Sequence, residues 1–196
     1  MTNSKILAEG AEAKIYFLKI SDKNYIVKER MPKLYRFKDL DSEIIAKRTK
    51  HEVNILNLAK AVVKCPYVFY SDDKTIIMEY LKYPEAKSLI EKTPNILKKI
   101  ALDVSKLHRR NIIHGDLTLS NILYDTKNKE PYFIDFGLAF VSPKKEDKAM
   151  DLEVLREIII ADFSEKYWSL FEKEYSKYNE DIIKYMEKIQ KRKKYL

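Results

Sequence analysis

The stretch IIHGDLTLSN, residues 112–121, decides the fold, because it sets a glycine, an aspartate and an asparagine at short spacing in otherwise apolar, strand-like sequence. The stretch YFIDFG, residues 132–137, follows a short predicted strand pair with a polar turn. A hydroxyl group that attacks a phosphoryl group needs a carboxylate to accept its proton, and nucleotide-bound Mg²⁺ prefers oxygen ligands. Asp116 is therefore the candidate base, and Asn121 and Asp135 are the candidate metal ligands.

The order and spacing of these residues match the phosphoryl-transfer template of protein kinases, in which catalysis is mainly positioning and neutralisation of charge. The whole chain contains only three glycines, at positions 10, 115 and 137. Walker loops and Rossmann fingerprints need more glycines at fixed spacing, so the sequence excludes both.

Composition places the chain among globular proteins, since 45% of its 196 residues are apolar. That length fits one large domain or two small lobes. There is no apolar run of membrane-spanning length, no signal-peptide pattern and only one cysteine, so we expect a cytoplasmic protein without membrane contact. The net charge of +8 fits an anionic partner or a lysine-rich surface equally well.

Hydrophobic periodicity divides the chain near residue 81. Residues 1–81 predict an antiparallel sheet with a hairpin turn at Ser21–Lys23 and one helix over 39–62, capped by Asp39 or Asp41. Residues 82–196 predict a mostly helical region, in which Thr93 caps a helix and separate helices cover 164–178 and 180–194. The expected fold class is α+β, a minimal two-lobed protein-kinase-like fold, with the ATP phosphate clamp in 1–81 and the catalytic loop, metal site and partner-binding helices in 82–196.

Nucleotide contacts are expected from three places in the first region. Lys28 lies mid-strand, where a kinase lysine contacts phosphates and pairs with a helix glutamate, here Glu52 or, as second choice, Glu43. The loop AEGAEA should bring backbone amides to the phosphates, provided that its glutamates, Glu9 and Glu12, turn away or bridge through a metal ion or a lysine. The segment IIMEYL should contact adenine. The residues assigned to ATP in the loop and the segment are Gly10, Ala11, Met78, Glu79 and Leu81.

The motifs GAEA, VKERMPKLYR, HGDLTLSNIL, IDFGLA and EDKAMDLEVL resemble the small atypical serine/threonine kinase subunit of the KEOPS (EKC) complex, a relative of the RIO kinases. The resemblance implies ATP with Mg²⁺ or Mn²⁺ as cofactors, serine phosphorylation and ATPase activity. It also implies a complex that attaches threonylcarbamoyl to a tRNA adenosine. The threonylcarbamoyl-transferase subunit would dock on the C-lobe and a small regulatory subunit on the N-lobe.

The same resemblance assigns supporting roles to His114, Gly137 and Asp151, the last bracing the catalytic loop from a following helix. Gly115 stands where regulated kinases have an arginine, and the segment after Gly137 is too short for a long activation loop. The basic C-terminal tail QKRKKYL is a possible tRNA contact or a solvated helix end. Two alternatives remain from the residues: a small-molecule kinase of the aminoglycoside or choline type, and a nucleotide-binding scaffold without turnover.

Overall fold

The computed structural model describes residues 3–10, 12–33 and 35–193, and the chain divides into two compact units. One unit combines the chain up to Asn57 with Pro66–Lys82, and the other combines Leu58–Cys65 with the chain from Tyr83 onward. The first contains an antiparallel sheet and a long helix, and the second is mostly helical. This arrangement confirms the predicted α+β fold class.

The sheet of the first unit follows the order β1-β2-β3-β5-β4, and each neighbouring pair is antiparallel. Ser21 and Asp22 form the predicted hairpin turn between β2 and β3, and Ser21 takes the positive φ of 52° that suits a two-residue turn between twisted strands. The strands are β1 (Asn3–Glu9), β2 (Ala13–Ile20), β3 (Lys23–Arg30), β4 (Val68–Ser71) and β5 (Thr75–Glu79).

Helix α1 (Lys38–Lys60) carries the glutamate candidates of the phosphate clamp. Its predicted cap was wrong, because the helix begins at Lys38 and both Asp39 and Asp41 lie within its first turn. Asp41 instead accepts hydrogen bonds from the backbone N–H of Lys33 at 2.9 Å and from the Arg36 guanidinium at 3.1 Å. These bonds hold the loop between β3 and α1 against the start of the helix.

The second unit packs three helices around an apolar core, α2 (Ile96–Arg109), α3 (Lys145–Asp162) and α4 (Glu165–Lys193), all within the described residues. Trp168, Phe171 and Tyr175 stack in series along α4, with ring centroids 5.1 and 6.0 Å apart. Helix α4 packs against both α2 and α3. Short antiparallel pairs complete the unit, β6 (Ile112–Ile113) with β9 (Phe140–Val141) and β7 (Ile122–Asp125) with β8 (Glu130–Phe133).

The start of one predicted helix differs from the structure, whereas the predicted break between the two C-terminal helices agrees with it. Helix α2 begins at Ile96 with Asn95 at its N-cap, because Thr93 and Pro94 form a preceding turn in which their carbonyls accept from Ile96 and Leu97. The two helices predicted at the C-terminal end, 164–178 and 180–194, are confirmed as the two helical segments of α4, which meet at a kink at the non-helical residue Asn179, φ −143° and ψ 48°. The bend therefore falls between the two predicted segments.

Across residues 3–10, 12–33 and 35–193, none of the helices combines the length and the apolar character that crossing a membrane requires.

Candidate active site

The loop between β6 and β7 fixes the carboxylate of Asp116 through Asn121. The Asn121 side-chain amide donates to Asp116 Oδ2 and to the Asp116 backbone carbonyl, both at 2.9 Å. Thr118 caps the short 3-10 turn at Leu119–Asn121 by accepting from the backbone N–H of Asn121. Because the amide nitrogen is turned toward Asp116, the amide oxygen of Asn121 faces away from that carboxylate.

Asp135 lies beside Asn121 at one end of the β7–β8 pair. The backbone N–H of Ile134 donates to the Asn121 carbonyl at 2.9 Å, which brings the two candidate metal ligands onto neighbouring backbone. Asp135 has φ of +59°, a left-handed conformation that costs most residues about 1–2 kcal/mol but that aspartate tolerates better than most. One carboxylate and one amide oxygen are donors that suit Mg²⁺ or Mn²⁺, so the residues fit the expected metal.

Asp151, on α3, holds the start of this loop. Its two carboxylate oxygens accept from the backbone N–H groups of His114 at 2.8 Å and Gly115 at 2.9 Å. Burial alone would raise the pKa of Asp151, but His108, His114 and the backbone donors lower it below the usual aspartate range. The carboxylate is thus ionised and satisfied although it is buried.

Gly115 is required by its conformation and by a close backbone neighbour. Its φ is +78°, and a Cβ built on it would lie 2.2 Å from the Leu138 carbonyl oxygen and 2.8 Å from the Leu138 carbonyl carbon. Leu138 follows Gly137, whose own N–H donates to Asp135 Oδ1 at 3.2 Å. The catalytic loop and the segment after Asp135 therefore pack directly against each other.

His114 is buried behind the loop. Its Nε2–H donates to the Ile134 carbonyl at 3.1 Å, and its ring lies 4.8 Å from the Phe136 ring centroid. Within the part of the chain that the structure describes, Nδ1 is buried without a hydrogen-bond partner. Burial lowers the pKa of His114, which favours the neutral ring.

In the first unit, Lys28 and Glu52 form a buried ion pair, with Nζ 2.7 Å from Oε1. Arg30 binds the other carboxylate oxygen of Glu52 at 2.6 Å, so one buried carboxylate is shared by two cations. Glu43, the second choice, instead pairs with Lys47 at the surface. The pairing of Lys28 with Glu52 is thus present, while its role toward phosphate stays a prediction.

The glutamates of the expected phosphate loop are neutralised by neighbouring cations. Glu12 accepts from Arg48 at 2.7 Å and lies 3.7 Å from Arg30, while Glu9 pairs with Lys14 at 2.9 Å. The hydrogen bond from Arg48 lowers the pKa of Glu12 below its usual value despite some burial. The repulsion expected between these carboxylates and phosphate is therefore reduced.

The other residues predicted to contact the nucleotide differ in burial and in whether their backbone N–H groups are already hydrogen-bonded. Gly10 donates its N–H to the Ala13 carbonyl at 3.0 Å, and Ala11 lies outside the described residues. Met78 is buried on β5, and the N–H of Glu79 is already bonded to the Tyr67 carbonyl at 2.8 Å. An adenine contact at the end of β5 is therefore restricted to the Glu79 carbonyl and the backbone of the residues that follow, including Leu81.

Sequence reasoning missed Arg30, His108 and Tyr175. Arg30 carried a usable signal, because residues two apart on a strand share a face and Lys28 had already been placed. His108, in the last turn of α2, is buried and hydrogen-bonded to Asp151 and Tyr175. Those partners lie 43 and 67 residues away, and local sequence has no signal for contacts of that range.

Comparison with known proteins decides the family. The RIO domain model matches residues 8–176, and the KEOPS complex subunit Bud32 of Pyrococcus abyssi is 39% identical over 166 residues, covering 78% of this chain and 74% of that protein. The chain belongs to the Bud32 group of the RIO family. This confirms the resemblance inferred from the motifs and favours a RIO-type protein over the small-molecule kinase alternative.

Other relatives of this RIO-family chain differ in length. A probable serine/threonine-protein kinase Bud32 homologue of Archaeoglobus fulgidus is 38% identical over 155 residues, covering 79% of this chain and 75% of that protein. A probable bifunctional tRNA threonylcarbamoyladenosine biosynthesis protein of Methanocaldococcus jannaschii is 36% identical over 200 residues. The match covers 97% of this chain but 37% of that protein, so this Bud32-group chain corresponds to little more than a third of the bifunctional relative.

Proposed function

We propose that this chain is an atypical ATP-dependent serine/threonine protein kinase with ATPase activity and a subunit of the KEOPS complex in threonylcarbamoyladenosine modification of tRNA. The observation that carries the proposal is the Asp116 carboxylate, held by Asn121 beside Asp135 at the end of the β7–β8 pair. Phosphoryl transfer needs this combination of a fixed base and adjacent oxygen donors.

In this proposal residues 1–81 form the N-lobe and residues 82–196 form the C-lobe. Asp116 accepts the proton of the attacking hydroxyl group or water, and Asn121 keeps its carboxylate oriented. Asn121 and Asp135 would hold Mg²⁺ or Mn²⁺, which would neutralise charge on the phosphates. Lys28 would contact the phosphates while Glu52 holds its ammonium in place.

The remaining ATP contacts would come from the phosphate loop and from the end of β5. Gly10 and Ala11 would bring backbone amides to the phosphates, Met78 would wall the adenine pocket, and Glu79 and Leu81 would contact the base. The existing ion pairs of Glu9 and Glu12 support this assignment, because they limit repulsion of the triphosphate.

The proposed partners are a threonylcarbamoyl-transferase subunit on the C-lobe and a small regulatory subunit on the N-lobe, in a cytoplasmic complex. The names of the Pyrococcus and Methanocaldococcus relatives support this context. The basic tail after residue 190 would contact tRNA phosphates, and residues 194–196 of it lie outside the described residues.

The test is Asp116→Asn, which keeps the side-chain size and an oxygen for Asn121 but cannot accept the proton. We expect phosphate release from ATP to fall roughly 10²- to 10⁴-fold, the usual contribution of a general base, with ATP affinity retained. Asp103→Asn is the control, since Asp103 is a carboxylate of the second unit that lies on α2, outside the catalytic loop. Both should be assayed alone and with the protein that co-purifies from native lysate. Equal rates for Asp116→Asn and the wild type would reject the base assignment.

A further inference from the structure

A chain of buried hydrogen bonds links the C-terminal helix to the catalytic loop. The Tyr175 hydroxyl lies 2.7 Å from His108 Nδ1, and His108 Nε2 lies 3.2 Å from Asp151 Oδ2. Asp151 in turn accepts from the backbone N–H groups of His114 and Gly115. The three side chains belong to three different helices, α4, α2 and α3, so the contacts join the whole helical core to one loop.

The hydrogen bonds from Tyr175 through His108 to Asp151 can all form when each donor points toward Asp151. Tyr175 is completely buried, and burial raises the pKa of its hydroxyl, which therefore stays protonated and can donate to Nδ1. In that arrangement His108 donates from Nε2 to Asp151 Oδ2. With donors fixed in this order, the tautomer of His108 is set by a residue on α4.

Tyr175, where this series of hydrogen bonds starts, lies one turn before the bend in α4. Asn179, the non-helical residue, is buried and donates to the Ser105 carbonyl on α2 at 3.3 Å, one turn after Tyr175. Tyr175 itself stacks on Phe171, so its ring is held by packing independently of its hydroxyl. The bend thus fixes the position from which the hydroxyl reaches His108.

We propose that Tyr175 is a positioning residue for phosphoryl transfer: acting through His108 and Asp151, its hydroxyl holds the backbone at His114 and Gly115 and so keeps Asp116 oriented. The inference rests on the proposed function and deepens it. It gives α4 a role in the reaction although none of its residues belongs to the predicted site. Loss of the hydroxyl leaves the aromatic stack intact but frees His108 to change tautomer, which weakens the donor to Asp151.

The test compares Tyr175→Phe with Tyr124→Phe, a buried tyrosine of the same unit that lies outside this hydrogen-bond chain. Two measurements are needed, both well below the melting temperature of each variant. Native-state hydrogen exchange reports opening at the His114 and Gly115 amides, and steady-state kinetics separate kcat from KM for ATP. For Tyr175→Phe we expect exchange at these amides about tenfold faster and kcat several-fold lower with KM nearly unchanged, as for loss of one buried hydrogen bond. Tyr124→Phe should change neither.

His108→Gln and His108→Leu give a second pair. Glutamine can still donate to Asp151 and should preserve slow exchange at Gly115, whereas leucine should accelerate it. Unchanged exchange at both amides in Tyr175→Phe would overturn the proposal, as would a kcat loss that Tyr124→Phe reproduces. If the wild type shows no phosphate release, the proposed function fails, but the exchange measurement still decides whether Tyr175 holds the loop.

Discussion

Replacing Gly115 by alanine tests how tightly the catalytic loop packs on the segment that follows Asp135. An alanine Cβ would lie 2.2 Å from the Leu138 carbonyl oxygen and 2.8 Å from the carbonyl carbon, far inside any real contact. Both atoms belong to backbone, so no side-chain rotation can relieve the overlap. The loop and the Leu138 segment must move apart by about 1 Å to restore an ordinary carbon–oxygen separation.

The expected loss of stability in Gly115→Ala has two parts. At a φ of +78°, the backbone conformation of alanine is about 1–2 kcal/mol less favourable than that of glycine. Separation of packed backbone adds a cost similar to that of an overpacked core, about 1–3 kcal/mol. Gly115→Ala should therefore lower the free energy of unfolding by about 2–5 kcal/mol and displace Asp116, the next residue, from its bond with Asn121.

The assay is urea denaturation, together with phosphate release, of Gly115→Ala, a control variant and the wild type. Gly10→Ala is the matched control, because its added Cβ would meet only the Ala13 carbonyl oxygen at 3.6 Å, an ordinary contact. We expect that control to change stability by no more than about 0.5 kcal/mol. A Gly115→Ala variant as stable as Gly10→Ala and as active as the wild type would refute the close packing of the two segments.

Three further predictions concern the charged residues. Glu52→Gln should lower the free energy of unfolding by about 3–5 kcal/mol, because it removes the carboxylate shared by the buried Lys28 and Arg30. Lys28→Met should lower the free energy of unfolding by less, since Arg30 still neutralises Glu52. Denaturation curves that show the larger loss for Lys28→Met would contradict the shared pairing. Asp135→Ala should remove the dependence of ATP affinity on Mg²⁺ in calorimetric titrations, and a wild-type metal dependence would count against the ligand assignment. Asp151 has a folded-state pKa below its unfolded value of 3.8, so its stabilisation is present above that pH and is lost as pH falls through the folded pKa. Asp151→Asn should accordingly show a smaller loss of stability on acidification than the wild type, and parallel pH curves would exclude the carboxylate as the cause.

The residues near one another in sequence were the ones that could be predicted. Asp116, Asn121 and Asp135 lie within twenty residues and flank a strand pair whose turn is polar, so their proximity follows from local structure. The steric requirement at Gly115 could not be found in this way. It depends on the carbonyl of Leu138, which reaches the loop only because β6 pairs with the two-residue strand β9, too short to give a period-two pattern.

The start of α2 was predicted wrongly for a different physical reason. Thr93 followed by Pro94 is a favourable start signal, yet the turn that these residues form delays α2 until Ile96. In α4, by contrast, the prediction of two helices is confirmed, because a kink at Asn179 separates the two predicted segments. At this kink the Asn179 side chain donates a hydrogen bond to the Ser105 carbonyl on α2, a contact between residues far apart in sequence.

The sharing of Glu52 between two cations has a consequence for how α1 is held. Burial of a carboxylate costs several kcal/mol unless opposite charge accompanies it, and a kinase lysine that turns toward phosphate withdraws such a charge. Here Arg30 remains on the second carboxylate oxygen, and Glu12 with Arg48 continues the ion pairs from Arg30 to the preceding turn of the same helix. Glu52 therefore keeps a counter-charge whichever way Lys28 points. Because the helix is anchored at two sites by arginines that need not contact nucleotide, its position in the first unit does not depend on the Lys28–Glu52 pair alone.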